Sequence, residues 1–325
     1  MIHDGRDRAE IQQAAQRLAD GSLVAFPTET VYGLGARADV DAAVAGIFAA
    51  KGRPPDHPLI VHVAAPGNAA RFASSIPAVA RRLIEAFWPG PLTLILPRLP
   101  QVAGAAAGGH PSIGLRCPAH LVAQALLQVA ETLGVSGVAA PSANRFGRIS
   151  PTRASHVEDE FGTGLFVLDG GECRLGIESA IVDCTRGAPV LLRPGALTRA
   201  RIEDVAGETL RARDDDAAAA PGTLAAHYAP RARLRLMSTA ELRTALPLLG
   251  AEANQVALYS RTALLPSGPL VRRMPLSAEA AGHELFATLR ELDATQARLI
   301  WVEQPPDSPE WEGVRDRLER AAAAA

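Results

Sequence analysis

Apolar and polar residues follow two rhythms along this chain, and the alternation between them predicts an α/β protein. Short apolar runs at Leu23 to Phe26, Leu59 to Val63, Leu92 to Leu96, Ile113 to Cys117, Val138 to Ala140, Leu165 to Leu168 and Ala180 to Asp183 have the length of buried strands. Between them lie amphipathic stretches that predict helices at Arg8 to Asp20, Val40 to Ala50, Ile76 to Phe87 and Ala119 to Leu133, with Gly134 a natural stop for the last. From Leu165 onward the runs follow one another without helix-length separators, so the sheet should be mixed rather than purely parallel.

Regularity breaks at Arg211 to Gly222, where three aspartates and four alanines precede Pro221-Gly222. This reads as a linker after a domain that closes near Gly207. The pattern then restarts as strand (Leu234 to Met237), helix (Thr239 to Leu249), strand (Val256 to Tyr259), helix (Ala278 to Leu292), strand (Leu299 to Val302) and helix (Glu310 to Arg320). Strict alternation predicts a small parallel-sheet domain with helices on its faces. The expected division is a first domain over 1–207, a linker over 208–231 and a second domain over 232–325.

Composition narrows the class. With 325 residues, 48% of them hydrophobic, the chain can bury a substantial core. Its 33 basic and 35 acidic residues give a formal charge of −2, which offers no global attraction to nucleic acid. Cys117, Cys173 and Cys184 are odd in number and widely spaced, which suits a reducing compartment better than a disulfide framework. The first twenty residues lack an apolar signal core, and no apolar run reaches the roughly 20 residues needed to span a bilayer. A cytoplasmic protein without a membrane partner is expected.

No G-x-x-x-x-G-K-[ST] loop is present, and Gly33-Leu34-Gly35 lacks the remaining glycine of a dinucleotide fingerprint. Nor do Cys117 and His120, or His57 and His62, have the second ligand pair that a structural zinc needs. Polar residues instead cluster in four turn-rich stretches: Pro27 to Gly35, Lys51 to His62, Pro141 to Asn144 leading to Ser150 and Thr152, and Leu191 to Gly195. Lys51 and Arg53 suit a polyphosphate, or they simply complement a helix C-terminus. Ser142, Asn144 and Ser150 could meet phosphate or ribose oxygens, or form turns. Arg116 and Arg193 are embedded in apolar sequence, where a charge must be paired in a salt bridge or face a polar cavity. Cations and hydroxyls without a catalytic triad favour binding of anionic reactants over hydrolysis by a protein nucleophile.

Read in order, P-T-E-T-V-Y-G-L-G at Pro27, K-G-R-P at Lys51 leading to P-L-I-V-H, W-P-G-P-L-T-L at Trp88, L-R-C-P at Leu115, A-P-S-A-N at Ala140, G-I-E-S-A-I-V-D at Gly176 and L-L-R-P-G at Leu191 resemble the YrdC-type family of threonylcarbamoyl-AMP synthases. Pro221-Gly222, His227-Tyr228-Ala229-Pro230 and the second α/β unit are similar to its longer, two-domain branch. The resemblance implies a twisted mixed sheet around a large cavity, followed by a smaller Rossmann-like domain. It places Lys51, Ser112, Ala140, Ser142, Asn144, Ser150, Arg193 and Tyr228 around ATP, and Thr28, His62, Arg116 and Ser179 around threonine. Lys51 and Arg53 would carry the catalytic charge, and Arg116 would pair with the amino-acid carboxylate.

The implied reaction joins L-threonine, bicarbonate or carbon dioxide, and ATP, with release of pyrophosphate. Magnesium would accompany ATP, through ligands the sequence does not identify, and no tightly bound organic cofactor is expected. The product would pass to a downstream complex that modifies tRNA; whether this chain touches tRNA itself is left open. Glu29 could serve as a general base or as a structural partner of an arginine, and the second role is favoured. Two alternatives compete: a carbamoyl-AMP-forming carbamoyltransferase, disfavoured by the lack of paired C-x-x-C motifs, and a double-stranded RNA-binding protein, disfavoured by the near-neutral charge.

Overall fold

The computed structural model describes residues 1–214, 216–262, 270–295 and 297–324. Asp215 of the expected linker and Ala325 of the terminal alanine run lie outside the described residues. Two compact units result, one formed by Met1–Phe146 with Ser150–Thr223, the other by Gly147–Ile149 with Leu224–Ala325.

In chain order the first unit contains β1 (Ile2–Asp4), α1 (Arg8–Ala19), β2 (Val24–Phe26), β3 (Gly33–Arg37), α2 (Asp41–Lys51), β4 (Ile60–His62), α3 (Ala78–Phe87), β5 (Leu92–Pro97), β6 (Ser112–Arg116), α4 (Leu121–Thr132), β7 (Val138–Ala139), α5 (Ala154–Phe161), β8 (Phe166–Asp169), β9 (Ala180–Asp183), β10 (Val190–Arg193), α6 (Arg199–Ala206) and β11 (Arg211–Ala212). Among the described residues its strands make one eleven-stranded sheet in the order β1-β8-β2-β3-β7-β4-β6-β5-β9-β10-β11. As expected the sheet is mixed: β4 runs parallel to β6 and β5 to β9, whereas β5 is antiparallel to β6 and β10 to β9.

Strand alternation sorts side chains onto two faces. Ala25, Leu34, Val61, Leu92, Leu94, Leu115, Val182 and Leu191 enter the main core, together with Val44 and Ile47 of α2, Leu83 and Ile84 of α3 and Ile202 of α6. On the opposite face, Val24, Phe26 and Leu168 pack with Leu18 of α1 and Leu126 of α4. The remainder of that face carries Ile60, Ile95, Ile181, Val190 and Leu192, over which Ala217, Ala218 and Ala220 lie. The first unit extends beyond Gly207, the left-handed C-cap of α6, to Thr223, so the start of the stretch read as a linker packs with it.

The second unit contains β12 (Arg233–Met237), α7 (Thr239–Ala245), β13 (Val256–Ser260), β14 (Val271–Arg273), α8 (Ala278–Ala294), β15 (Leu299–Glu303) and α9 (Glu312–Ala323). Its described sheet runs β12-β15-β13-β14 with every pairing parallel. The helix expected to reach Leu249 ends at Ala245 and continues as a 3-10 turn through Leu246-Pro247-Leu248, since Pro247 cannot donate the backbone bond an α-helix needs. Glu303, fully buried at the end of β15, accepts hydrogen bonds from the hydroxyls of Thr239 (2.6 Å), Ser260 (2.6 Å) and Thr262 (2.7 Å) and the backbone N–H of Arg261 (2.7 Å) and Thr262 (2.9 Å). One carboxylate thus ties together segments that follow β12, β13 and β15. Burial pushes its pKa up, but the hydrogen bonds outweigh burial and bring it down to about 2. Among the described residues no helix is long and apolar enough to cross a membrane.

Candidate active site

Several strand residues of the first unit, polar ones among them, share the second face of its sheet. Register pairs His62 with Arg116, Gly114 with both Ile60 and Ile95, and Ile181 with both Thr93 and Arg193, so all of these project to one side. Glycines on β3 let neighbouring side chains pack against its backbone. A Cβ on Gly35 would lie 2.8 Å from both the Phe26 ring and a Val138 methyl, and one on Gly33 would come within 3.2 Å of the Ala140 Cβ.

Arg116, at the end of β6, meets the turn after β2. Its Nη2 lies 2.7 Å from Glu29 Oε1, its Nη1 donates to Thr30 Oγ1 at 2.9 Å, and its Nε donates to Gly90 O at 3.2 Å. Glu29 Oε2 also accepts from the N–H of Ala119 at 3.0 Å. The structure thus pairs Glu29 with an arginine, the arrangement favoured over a general base. The Thr28 hydroxyl donates to Val31 O at 2.7 Å and sits 2.8 Å from Thr30 Oγ1. Gly90 must be glycine, because a Cβ there would lie 2.2 Å from Phe87 O. His62, beside Arg116, is buried and its Nδ1 has no hydrogen-bond partner among the described residues. Burial, and then the Arg116 charge, push its pKa down to about 3, so the imidazole is neutral.

A second group of residues surrounds the end of α2. Lys51 is its last residue rather than the first after it, and Gly52 closes the helix in the left-handed region at φ 62°. The Lys51 Nζ donates to Ser142 O at 2.6 Å and to Asn144 O, and protonation would add a third N–H that a ligand could accept. Burial, and then the neighbouring Arg53, lower the Lys51 pKa well below its ordinary value. Arg53 donates to Pro58 O at 2.9 Å, with its guanidinium 5.7 Å from the Phe146 ring centre. The loop from Pro141 is fastened to β3 and its approach: Leu34 N donates to Pro141 O, Ala143 N to Tyr32 O and Tyr32 N to Pro151 O, at 2.8, 2.8 and 2.9 Å. Ala140, just after β7, donates its N–H to Ile60 O at 2.9 Å. The Ser150 hydroxyl donates to Glu178 Oε1, and both side chains are buried.

Arg193 anchors the far strands. It donates to Ser179 O at 3.0 Å, to Ser179 Oγ at 3.3 Å and to Pro221 O at 3.1 Å, and Ser179 Oγ is 2.8 Å from Thr93 Oγ1. Ser112 sits apart, half-buried at the start of β6 and about 13 Å along the strand from Arg116. Tyr228 belongs to the second unit, where its ring packs 5.3 Å from Phe286 and 5.5 Å from the Arg317 guanidinium, with a left-handed φ of 62°. Reading by motif overlooked Thr30, Thr93 and Glu178 as individual residues, although each stands inside a motif that was recognised.

Burial raises the thiol pKa of all three cysteines, that of Cys184 to about 12, so none is an activated nucleophile. Lys51, Arg53, Arg116 and Arg193, each less than a tenth exposed, stand in the same unit as the buried acids Glu29 and Glu178. The fold, a large mixed sheet followed by a parallel-sheet domain, is that of an α/β class of enzyme. Residues 16–195 match the family model Sua5_yciO_yrdC, described as telomere recombination, and residues 197–323 match the one described as threonylcarbamoyl-AMP synthase, C-terminal domain. The chain belongs to the threonylcarbamoyl-AMP synthase family. It is 39% identical to the Pyrococcus abyssi threonylcarbamoyl-AMP synthase over 99% of this chain and 97% of that one, and 37% identical to the Bacillus subtilis one over 96% and 93%. The crystal structure of P. abyssi Sua5 complexed with L-threonine superposes with a TM-score of 0.89 at 38% identity, covering 98% of this chain and 95% of that one.

Proposed function

We propose that the protein synthesises L-threonylcarbamoyl-AMP from L-threonine, bicarbonate or carbon dioxide, and ATP, releasing pyrophosphate, for a tRNA modification. The observation that carries this reading is the grouping of four buried basic side chains, Lys51, Arg53, Arg116 and Arg193, in one unit. Basic side chains so placed can receive a triphosphate and an amino-acid carboxylate in addition to the protein groups that already hold them, as Glu29 holds Arg116.

The threonine amine would take up carbon dioxide, lose a proton and become a carbamate. A carbamate oxygen then attacks the α-phosphorus of ATP, and the bond to the bridging oxygen breaks with pyrophosphate as the leaving group. Because the nucleophile belongs to the substrate, the protein's contribution is position and charge. Lys51, Arg53 and Arg193 would face the phosphates, with Ser142, Asn144 and Ser150 on the nucleotide and Ser112 and Ala140 as further neighbours. Arg116 would take the threonine carboxylate on the N–H groups left over from Glu29, Thr30 and Gly90, beside Thr28, His62 and Ser179. Neutral His62 can position a hydroxyl or amine without adding charge.

Among the described residues no three acidic, histidine or cysteine side chains converge as a metal cluster. That donor set fits magnesium bound chiefly through phosphate oxygens and water, offsetting charge on the triphosphate. The catalytic domain proposed is 1–207, with 208–231 as a linker whose first part packs on the first unit and 232–325 as a second domain. The protein would act in the cytoplasm and pass its product to a tRNA threonylcarbamoyltransferase complex. The test is pyrophosphate release from ATP, magnesium and bicarbonate across a panel of single amino acids. Release that needs both threonine and bicarbonate supports the synthase. Release that needs carbamoyl phosphate and ignores threonine replaces it with the carbamoyltransferase reading.

A further inference from the structure

Thr93 is a hydroxyl in an apolar strand. In the run Leu92-Thr93-Leu94-Ile95-Leu96, the leucines enter the main core while Thr93 shares the opposite face with Ile95 and Ile181. It is fully buried, and its methyl lies where a Cβ on Gly114 would approach to 3.7 Å. A valine would satisfy this packing equally well, so packing alone does not account for the hydroxyl. Among the described residues its Oγ1 has one hydrogen-bond partner, Ser179 Oγ at 2.8 Å.

The direction of that bond follows from what each hydroxyl can do. Each of the two oxygens carries one proton and two lone pairs. Ser179 Oγ already accepts an N–H from Arg193 Nη2 at 3.3 Å. If Ser179 donated to Thr93, the Thr93 proton would be left without an acceptor in an apolar neighbourhood, the costly state for a buried donor. If Thr93 donates to Ser179, both Ser179 lone pairs are filled, and the proton left over belongs to Ser179, beside the Arg193 guanidinium. A bound anionic oxygen beside Ser179 and Arg193 relieves the second arrangement. A cationic donor on Ser179 Oγ also makes its own O–H a stronger donor.

We infer that Thr93 is a positioning residue, which aims the Ser179 hydroxyl at an anionic oxygen, carboxylate or carbamate, of the amino-acid substrate. This rests on the reading above in which Ser179 faces threonine. Thr93 does not touch the substrate; it fixes the proton of a residue that does.

The test compares Thr93→Val, which keeps shape and removes the hydroxyl, with Thr93→Ser, which keeps the hydroxyl. Steady-state pyrophosphate release is measured against threonine and, separately, against ATP, at a temperature where circular dichroism shows each variant folded. Thr93→Val should raise the KM for threonine about tenfold, the worth of one hydrogen bond, while the KM for ATP stays within about twofold. Thr93→Ser should remain within about twofold of wild type for both. In a Ser179→Ala background, Thr93→Val should add no further loss, because the hydroxyl it directs is gone. The inference is overturned if Thr93→Val matches wild type, if both KM values rise together, if Thr93→Ser behaves like the valine variant, or if the two losses add. Should the valine variant not fold, a raised threonine KM in Thr93→Ser overturns the inference by itself. Wild-type protein lacking threonine-dependent release would refute the function rather than the role of Thr93.

Discussion

Glu29 and Arg116 form a buried ion pair, Oε1 to Nη2 2.7 Å, with both side chains about one-twentieth exposed. The acid comes from the turn after β2 and the base from the end of β6, so the pair locks one wall of the proposed threonine site. A buried pair behaves asymmetrically: deleting one member leaves a charge that neither water nor protein satisfies. Arg116→Ala should cost about 3–5 kcal/mol of stability and raise the threonine KM at least tenfold, with little effect on that for ATP. The double variant Glu29→Gln/Arg116→Gln should recover much of the stability and none of the threonine use. Thermal melts and two-substrate kinetics separate these effects.

Lys51 should take up a proton when ATP binds. In the unliganded site, burial and Arg53 lower its pKa well below the ordinary lysine value, which favours the neutral amine as pH rises. A polyphosphate reverses that preference by favouring the cation, so ATP affinity should fall as pH is raised through the lowered pKa. Calorimetric titration of ATP in buffers of different ionisation enthalpy should show net proton uptake. Uptake should vanish in Lys51→Ala, which should also chiefly weaken ATP use.

Gly195 is fixed by close approach. A Cβ there would lie 2.4 Å from the Ala180 N and 2.8 Å from the Ser179 carbonyl carbon. Gly195→Ala must therefore push β9 away from the turn that carries Arg193. Expected is a loss of about 1–3 kcal/mol in a thermal melt, with a larger fractional loss of pyrophosphate release, since both Arg193 and Ser179 shift.

Glu303 should make the second unit sensitive to acid. Its folded-state pKa of about 2 lies below the ordinary 4.5, so it contributes stability that is fully present above pH 4.5 and lost as pH falls towards 2. Glu303→Gln should lower the melting temperature of this unit near neutral pH, because an amide cannot accept every bond the carboxylate accepts. The gap between variant and wild type should close as the medium is acidified towards pH 2.

The positions of most helices and strands were legible because their apolar spacing is unambiguous. β3 was not, since Gly33-Leu34-Gly35-Ala36-Arg37 has little strand propensity; it forms because its glycines let the Phe26 ring and Val138 pack against the backbone. β1 and β14, of three residues each, are too short to show a period. Motif reading singled out Lys51, Arg53, Arg116 and Arg193, and the structure buries all four. It could not supply their partners, because Glu29 to Arg116, Thr93 to Ser179 and Ser150 to Glu178 are contacts across 28 to 87 residues of sequence. Thr93 illustrates the limit: a single hydroxyl in an apolar run looks like strand filler until the register sets it opposite Ile181.

In the proposed reaction the substrate's own carbamate attacks the α-phosphorus. Incubating the protein with ATP, magnesium, threonine and carbon-13 bicarbonate, and reading the products by mass spectrometry, tests it most directly. The expected product is an adenylate carrying threonine plus one labelled carboxyl carbon, formed together with pyrophosphate. Formation of ADP and phosphate, or of an adenylate without the label, would contradict it.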